Sequence, residues 1–317
     1  MKKFMSIILV AVMALSLFTG CANKDDGITK VAIVQQLDHS SLDEIRTAIE
    51  AELTAAGIEF KSFNGQNDAS TLNQIGAQVV SDDYDAIIPI ATLAAQCMVT
   101  AADGKDIPII YAACSDPASA GLTGMANVTG TSDALNTKFI IDMMLAVNPD
   151  ISCVGLLYSN SEINSATPIA EAKAYLDEKG IAYLEKTGTT SGEIVEAAAS
   201  LVGRVDAVFT PTDNAVMAAE ASVAELLNAD GIPHYTGADS FVLSGAFTTC
   251  GVNYTELGTK VGDMAFDILL GGEIGSFHVM DGGIITVNTD TAEMCGIDYS
   301  VFNTMANTVN AVTTIVD

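Results

Sequence analysis

Basic residues are scarce in this sequence of 317 residues. Only 13 Lys and Arg stand against 40 Asp and Glu, and the formal charge is −27 at pH 7. A surface with such an excess of negative charge repels the phosphates of nucleic acids and of anionic lipids. Nucleic acid is therefore excluded as a partner, and an anionic ligand would need hydrogen-bond donors of its own in the binding site.

The motifs of common enzyme classes are missing as well. The three histidines, His39, His234 and His278, lie far apart and form no HExxH motif. No phosphate-binding loop, dinucleotide-binding glycine pattern or Gly-x-Ser-x-Gly elbow occurs. We therefore expect a protein that is not an enzyme and that uses no cofactor and no metal.

Cysteine pairs with metal-ligand spacing are also absent. The chain has no Cys-x-x-Cys motif, and five cysteines follow residue 21 at irregular intervals. Their number is odd, so at least one has no partner within the chain. We interpret most of them as small core residues; they are Cys97, Cys114, Cys153, Cys250 and Cys295.

The first residues predict an export signal rather than a part of the fold. Basic residues at 2–3 precede an apolar run, 7–17, that is too short to span a membrane. Leu-Phe-Thr-Gly-Cys at 17–21 resembles the bacterial lipobox, although Phe18 stands where Leu, Val or Ile is usual. We predict a signal peptide at 1–20, a lipidated Cys21 and a polar tether at 21–29. Lipidation would hold the protein on the outer face of the cytoplasmic membrane or in the periplasm.

Beyond this leader, strand and helix patterns alternate along the whole chain. Apolar residues make up 49% of the sequence and charged residues 17%, as in packed globular proteins, and the length favours two domains. The alternation predicts an α/β protein with parallel sheets covered by helices on both faces. The first helix is predicted to begin with a capping box, Ser41 to Glu44.

The second half of the chain repeats the spacing of the first half. Val31 and Val154 each begin a strand that is followed by a helix-ending Gly 26 residues later. Asp85 and Asp206 each precede a short apolar strand that breaks into polar residues ahead of an Ala-rich helix. The sequence therefore predicts two similar doubly wound lobes that face each other across a cleft.

Polar side chains follow the predicted strands where a ligand binds in open α/β sheets. Each of them could instead only cap the next helix. Asp213 is the strongest candidate for binding a ligand ammonium, because Thr212 beside it can cap equally well. Glu162 and Asp239 are second candidates for that role. The full set of candidate ligand-binding residues is Thr92, Ser115, Asp116, Ser159, Asn160, Glu162, Asn164, Asp213, Asn214, Asp239 and Asn253.

Several segments resemble the tryptophan/tyrosine-type substrate-binding lipoproteins of ABC transporters, which have the type I periplasmic-binding-protein fold. One departure is Ser115, where the family commonly has Thr; the hydroxyl is kept. The matching segments are Ala91–Gln96, Ser115–Leu122, Asn127–Asp133, Tyr158–Ser165, Pro211–Asn214 and Gly251–Tyr254.

The resemblance implies a hinge between the lobes, with chain crossings near 131–133, 253 and 280. It assigns residues 30–131 and 254–280 to lobe 1, and residues 132–253 and 281–317 to lobe 2. It implies an ABC permease and its ATPase as partners, a monomer, and a small polar solute of the amino-acid class as ligand. Some members take aromatic amino acids, and Tyr111, Tyr158 and Tyr254 are available to stack on one.

Two alternatives share these sequence features. A lipoprotein that senses the same solute and signals to a kinase would have the same fold and leader. A nucleoside or sugar binder is the other alternative. Such sites usually stack the ligand between aromatic rings, and this chain has no Trp and few aromatic residues in the predicted loops.

Overall fold

The computed structural model describes residues 29–315, which fold around two β-sheets. The first sheet has six parallel strands in the order β11-β5-β4-β3-β1-β2. We call the part of the chain around it lobe 1. Its strands are β1 (Lys30–Gln35), β2 (Glu59–Asn64), β3 (Ala86–Ile90), β4 (Ile109–Tyr111), β5 (Val128–Ser132) and β11 (His278–Val279).

Three helices of lobe 1 connect its parallel strands as crossovers, and a fourth enters the lobe from lobe 2. The buried central strands β1 and β3 are almost entirely apolar, as expected where helices cover both faces of a sheet. The helices are α1 (Ser40–Ala55), α2 (Ala69–Ser81), α3 (Thr92–Ala101) and α10 (Tyr254–Leu269).

The second sheet has seven strands in the order β13-β12-β10-β9-β8-β6-β7, and we call the surrounding part lobe 2. All neighbours are parallel except β10 and β12. The strands are β6 (Cys153–Tyr158), β7 (Ala182–Thr187), β8 (Ala207–Thr210), β9 (His234–Thr236), β10 (Thr248–Gly251), β12 (Ile284–Asn288) and β13 (Thr308–Val312).

Seven α-helices and two 3-10 turns complete the described part of lobe 2. The helices are α4 (Thr137–Val147), α5 (Ala166–Lys179), α6 (Ser191–Ala199), α7 (Asn214–Met217), α8 (Glu220–Ala229), α9 (Asp239–Leu243) and α11 (Thr289–Met294), and the 3-10 turns are Ile163–Ser165 and Ser300–Thr304.

The chain passes between the two sheets three times. It leaves the first sheet after β5, returns to lobe 1 with α10, and leaves again after β11. The lobe boundaries inferred from the family resemblance stay a proposal, and the sheet membership of the strands supports it.

Two glycines let α10 lie directly against α1. A Cβ atom on Gly258 would stand 2.5 Å from the carbonyl oxygen of Ile45, and one on Gly262 would stand 2.5 Å from Cβ of Glu52. Neither distance is possible for a real side chain, so the two helix backbones approach as closely as they do only because both positions are Gly. The tight pairing ties the chain that returns from lobe 2 to the first helix of lobe 1.

The α/β architecture with two predominantly parallel sheets is confirmed, but two local predictions are wrong. The predicted capping box does not form: His39 precedes α1 without a side-chain cap, and Glu44 accepts hydrogen bonds from Thr255 of α10 instead. The single Ala-rich helix predicted after Asn214 is split into α7 and α8. Glu220, which begins α8, is buried and accepts a hydrogen bond from His234 Nδ1.

The leader, Cys21 and most of the tether lie outside the described residues. Within 29–315, no helix combines the length and apolar character that crossing a membrane requires. The five cysteines of this range form no disulfide in the structure; Cys97, Cys114 and Cys250 are buried.

Candidate functional site between the lobes

The two lobes enclose a cavity at the carboxyl ends of their parallel strands. Lobe 1 lines it with the turns after β1, β3 and β4, the chain leaving β5, and the start of α10. Lobe 2 lines it with the turn after β8 and the starts of α7 and α9. The lining residues are His39, Ser41, Leu42, Ala91, Thr92, Ala113, Ser115, Asp133, Asn164, Thr212, Asp213, Asn214, Met217, Ala238, Phe241 and Tyr254.

The lobe 1 wall contains two strained backbone positions. Ala91 joins β3 to α3 with φ 75° and ψ 163°, and Ala113 follows β4 with φ 54°. A side chain makes these conformations unfavourable by about 1–3 kcal/mol each, and such strain concentrates at functional sites. The turn at Ala91 places Thr92, the buried first residue of α3, on the cavity wall.

Asp213 organises the lobe 2 wall. Its Oδ1 accepts a hydrogen bond from the Val216 backbone and so caps α7. Its Oδ2 accepts from the Ser159 backbone N–H and from the Ser165 hydroxyl, both at 2.7 Å. The carboxyl group is fully buried, and burial raises its pKa. Asp213 therefore joins the start of α7 to the connection between β6 and α5, in addition to lining the cavity.

Two further buried carboxyls belong to the site. Asp133 lines the cavity, and its oxygens accept from the Ser115 hydroxyl at 2.9 Å and from the Tyr254 hydroxyl at 3.5 Å. Glu162 lies behind Asn214, whose amide donates to Glu162 Oε2 at 3.0 Å. Burial raises the pKa of Asp133, and burial together with the charge of Asp213 raises the pKa of Glu162 to about 7.

His39 is the one basic residue among those that line the cavity, and burial lowers its pKa. None of the residues that line the cavity is Lys or Arg. A buried carboxylate without a counter-charge is costly, and hydrogen bonds offset only part of the cost. The cavity therefore favours a ligand that brings a positive charge of its own.

Hydrogen bonds between the lobes hold the cleft shut around the cavity. They join Gln36 to Glu162 at 3.0 Å, His39 to Asn214 at 3.3 Å, Ser41 to Asp239 at 2.9 Å, Ser115 to Thr212 at 2.8 Å and Thr167 to Asp116 at 2.7 Å. The room left inside is about 20 Å³, which suits one or two water molecules. A ligand larger than that requires the lobes to separate.

A roomier cavity, of about 780 Å³, lies elsewhere on lobe 2. It runs between the start of α4 and the chain near Gly251, Gly282 and Thr308. Lys138 and Glu171 are the only charged residues on its wall, and none of the predicted ligand-binding residues reaches it. We therefore place the functional site at the smaller cavity, where buried charged groups of both lobes converge.

The structure brings five of the eleven predicted residues to the cavity wall: Thr92, Ser115, Asn164, Asp213 and Asn214. Two more lie directly behind the wall. The Ser159 backbone N–H donates to Asp213, and Glu162 accepts from the Asn214 amide.

The other four predicted residues lie away from the cavity. Asp116 accepts from Thr167 at the cleft, and Asn160 is exposed and donates to Thr187. Asp239 and Asn253 line a separate pocket of about 200 Å³. Their assignment to ligand binding stays a prediction.

Sequence reasoning did not include several lining residues among its candidates. Asp133 stands at the end of a matching family segment, directly after β5, and this position was a signal that could have identified it. Tyr254 was considered for stacking, and it does reach the wall, whereas Tyr111 is buried in the lobe 1 core and Tyr158 bonds Glu185 on the surface. Phe241 adds a second ring to the wall.

A two-lobed α/β fold with a polar cavity between the lobes defines a ligand-binding protein that closes around its ligand. The family model of ABC transporter substrate binding proteins matches residues 30–305, and this chain belongs to that family. Family membership makes the protein a solute-binding component of a transporter, which works outside the cytoplasm.

Two relatives illustrate the match. A tyrosine-binding protein of Clostridioides difficile is 32% identical over 316 residues, which cover 92% of this chain and 91% of that protein. The Streptococcus pneumonia ABC domain, solved in complex with L-Trp, is 28% identical with a TM-score of 0.83, over 89% of this chain and all of that one.

A third relative shows a different arrangement of the lobes. It is a substrate-binding protein of Clostridium difficile with adhesive properties, solved ligand-free and open. Its sequence identity is 32% over 91% of this chain and all of that one, yet its TM-score is only 0.68. Greater similarity in sequence with lower similarity in shape is expected when one structure is open and the other closed.

Proposed function

We propose that this protein is the extracytoplasmic substrate-binding lipoprotein of an ABC importer, and that its ligand is an amino acid with an aromatic side chain. The observation that supports this ligand class best is the closed cavity with buried carboxyls and no Lys or Arg on its wall. The relatives named for tyrosine binding and solved with L-Trp support the same class.

The ligand ammonium is proposed to lie between Asp213 and Asp133. Asp213 already accepts three hydrogen bonds, and a carboxylate has about four acceptor positions, so one remains. Asp133 has more free acceptor positions, because its contact with the Tyr254 hydroxyl is long. The hydroxyls of Thr92 and Ser115 are proposed to bind the carboxylate, and Tyr254 and Phe241 to contact the aromatic ring.

The carboxyl assignments predict a specific loss of affinity. Asp133→Asn and Asp213→Asn should each weaken binding of L-tyrosine or L-tryptophan at least tenfold, since a charged hydrogen bond contributes about 1.5–3 kcal/mol. The same substitutions should change little for an analogue without the amino group, 3-(4-hydroxyphenyl)propionate. Isothermal titration calorimetry measures both. Equal affinity of a folded variant and the wild type for the amino acid removes that carboxyl from the site.

The test of the function itself is a ligand screen. Thermal shift of the mature protein, residues 22–317, is measured against the amino acids and other small solutes, and calorimetry confirms each hit. A ligand that binds only the folded state raises the melting temperature. At a free concentration one hundred times Kd it adds about 2.7 kcal/mol to the free energy of unfolding. A flat response to every amino acid contradicts the proposed ligand class.

The lipid anchor and the delivery step complete the proposal. Lipidation of Cys21 would keep the protein at the membrane, where a monomer delivers its solute to the permease driven by the ATPase. Replacing Cys21 with Ser should release the protein into the soluble fraction after export. Continued membrane association of this variant contradicts an anchor at Cys21.

A further inference from the structure

One ring nitrogen on the cavity wall has no partner. His39 Nδ1 is buried and makes no hydrogen bond within the described part of the chain, although the imidazole lines the cavity. The other ring nitrogen, Nε2, lies 3.3 Å from Asn214 Oδ1 across the cleft. A buried polar atom without a partner is costly, and in a ligand cavity it indicates a ligand contact.

The orientation of the groups next to His39 is fixed by a backbone donor. The Leu93 N–H donates to Gln36 Oε1 at 3.1 Å. Because an N–H can only donate, this oxygen must face Leu93, and the Gln36 amide nitrogen must face the opposite way. It donates there to Glu162 Oε1 at 3.0 Å.

The same logic continues to His39 from the ionised form of Glu162, whose two oxygens can only accept and which predominates above its pKa of about 7. The second Glu162 oxygen accepts from the Asn214 amide nitrogen at 3.0 Å, so Asn214 turns its carbonyl oxygen to His39. A carbonyl oxygen only accepts, and Nε2 therefore has the ring proton. Burial lowers the pKa of His39 and keeps the ring neutral. Nδ1, a buried atom of a residue that lines the cavity, is then left with a free lone pair.

We infer that His39 binds the ligand through Nδ1 as a hydrogen-bond acceptor, so the ligand group placed there must be an N–H or O–H donor. Gln36, Glu162 and Asn214 are positioning residues that set which nitrogen has the proton. The inference rests on the proposed function and makes it more specific. The ammonium, a phenol and an indole N–H all qualify as donors, whereas a carboxylate oxygen is disfavoured at this place.

The hydrogen-bonded chain also couples ligand recognition to closure. It starts in lobe 1 at Leu93 and Gln36, crosses to lobe 2 at Glu162 and Asn214, and returns to lobe 1 at His39. Both crossings are broken when the lobes separate. Nε2 of His39 therefore has a fixed hydrogen-bond acceptor, Asn214 Oδ1, only in the closed state.

The substitution Glu162→Gln tests the orientation. Gln36 still needs an acceptor, so the new amide must place its nitrogen toward Asn214, which then turns its own nitrogen to His39. Nε2 becomes the acceptor, and the proton moves to Nδ1. The mature protein contains only three histidines, and ¹⁵N-histidine NMR distinguishes protonated from unprotonated ring nitrogens. Spectra in the presence of excess L-tyrosine should show the proton on Nε2 in the wild type and on Nδ1 in the variant. A proton on Nδ1 would face the ligand's donor, so the variant should also bind L-tyrosine more weakly. An identical tautomer together with an unchanged affinity for L-tyrosine overturns the inference.

Two substitutions at His39 test the contact itself. His39→Gln keeps a polar nitrogen near the position of Nε2 but removes Nδ1, whereas His39→Asn keeps a polar atom near Nδ1. We expect the first to lower affinity at least tenfold for whichever of L-tyrosine and L-tryptophan binds, and the second to retain most of it. Equal affinities for His39→Gln and wild type overturn the contact. A wild-type protein that binds neither amino acid contradicts the proposed function. The NMR comparison tests separately which ring nitrogen of His39 has the proton.

Discussion

Each buried carboxyl around the cleft has lost hydration that a few hydrogen bonds replace only in part. Glu162 is the clearest case, because it is 7% exposed and lies near a second acid, Asp213. In a protein with an ordinary core such a residue would be a defect. Here Glu162 lies directly behind the cavity wall, and carboxyls with raised pKa values cluster at functional sites.

Glu162 predicts a stability that falls as pH rises. Its pKa is about 7 in the folded protein and 4.5 in an ordinary setting, so the folded state holds the proton more tightly than the unfolded chain does. Its contribution is fully present below pH 4.5 and is lost as pH rises through about 7. The loss amounts to at most about 3 kcal/mol. Urea unfolding at pH 5 and pH 8 measures it, and Glu162→Gln should reduce the difference between the two.

The control for this measurement is Glu225→Gln. Glu225 is an exposed residue of α8, so its removal should leave the pH dependence as it is in the wild type. If Glu162→Gln and Glu225→Gln have the same pH profile, Glu162 does not titrate as described.

Residue roles were the least predictable part of the sequence. Ser41 and Glu44 have the spacing of a capping box, but in the structure Ser41 bonds Asp239 across the cleft and Glu44 bonds Thr255. Both partners are roughly 200 residues away in sequence, and local pattern contains no information about them. Asp213 was recognised because its strand-end position is local, while the acceptor role of His39 depends on four residues from both lobes.

At the scale of elements, the pairing of α10 with α1 determines how the returning chain joins lobe 1. Gly258→Ala places a methyl group 2.5 Å from a backbone oxygen that cannot move aside easily. We expect a loss of about 1–3 kcal/mol in the free energy of unfolding. The matched control is Gly192→Ala in α6, where a Cβ meets nothing within 4 Å. This second change should be neutral or stabilise by up to about 1 kcal/mol. Equal effects of the two substitutions contradict the close approach.

Elements themselves followed closely from the sequence. Apolar runs between polar turns predicted the central strands, because a strand buried on both faces has to be apolar throughout. The division of one Ala-rich helix into α7 and α8 was missed, since Ala favours helix at every position of the break. The structure places the buried contact of Glu220 with His234 at the start of α8, and a propensity argument cannot include such a contact.

At the scale of the whole molecule, closure and ligand exchange exclude each other. The closed cavity has room for little more than water, so the ligand must enter and leave through an open state. A ligand favours closure only by the difference between its affinities for the two states. The five hydrogen bonds described between the lobes stabilise the closed state, and the ligand's contacts with both lobes add to this stabilisation.

A disulfide across the cleft should trap the closed state. The Ser115 and Thr212 hydroxyl oxygens lie 2.8 Å apart on opposite lobes, a separation that cysteine sulfurs can bridge with small adjustments. The oxidised Ser115→Cys/Thr212→Cys variant should neither bind nor release L-tyrosine. Reduction of the same sample should restore ligand exchange. The reduced double variant is therefore the control for the oxidised one in calorimetry. Exchange that continues in the fully oxidised protein contradicts a cavity that is closed to solvent.

The three passages of the chain between the sheets also determine the order in which the protein can fold. Lobe 1 is incomplete until α10 and β11 have been made, and lobe 2 until β12 and β13 have joined its sheet, the last of them at Thr308–Val312. Neither sheet can therefore finish while the carboxyl-terminal segment is still on the ribosome or inside an export channel. Domains usually fold one after another during synthesis, but here both lobes must wait for elements that lie between residues 254 and 312. In a chain that stops before residue 278, both sheets therefore lack strands, and neither lobe can reach its final stability.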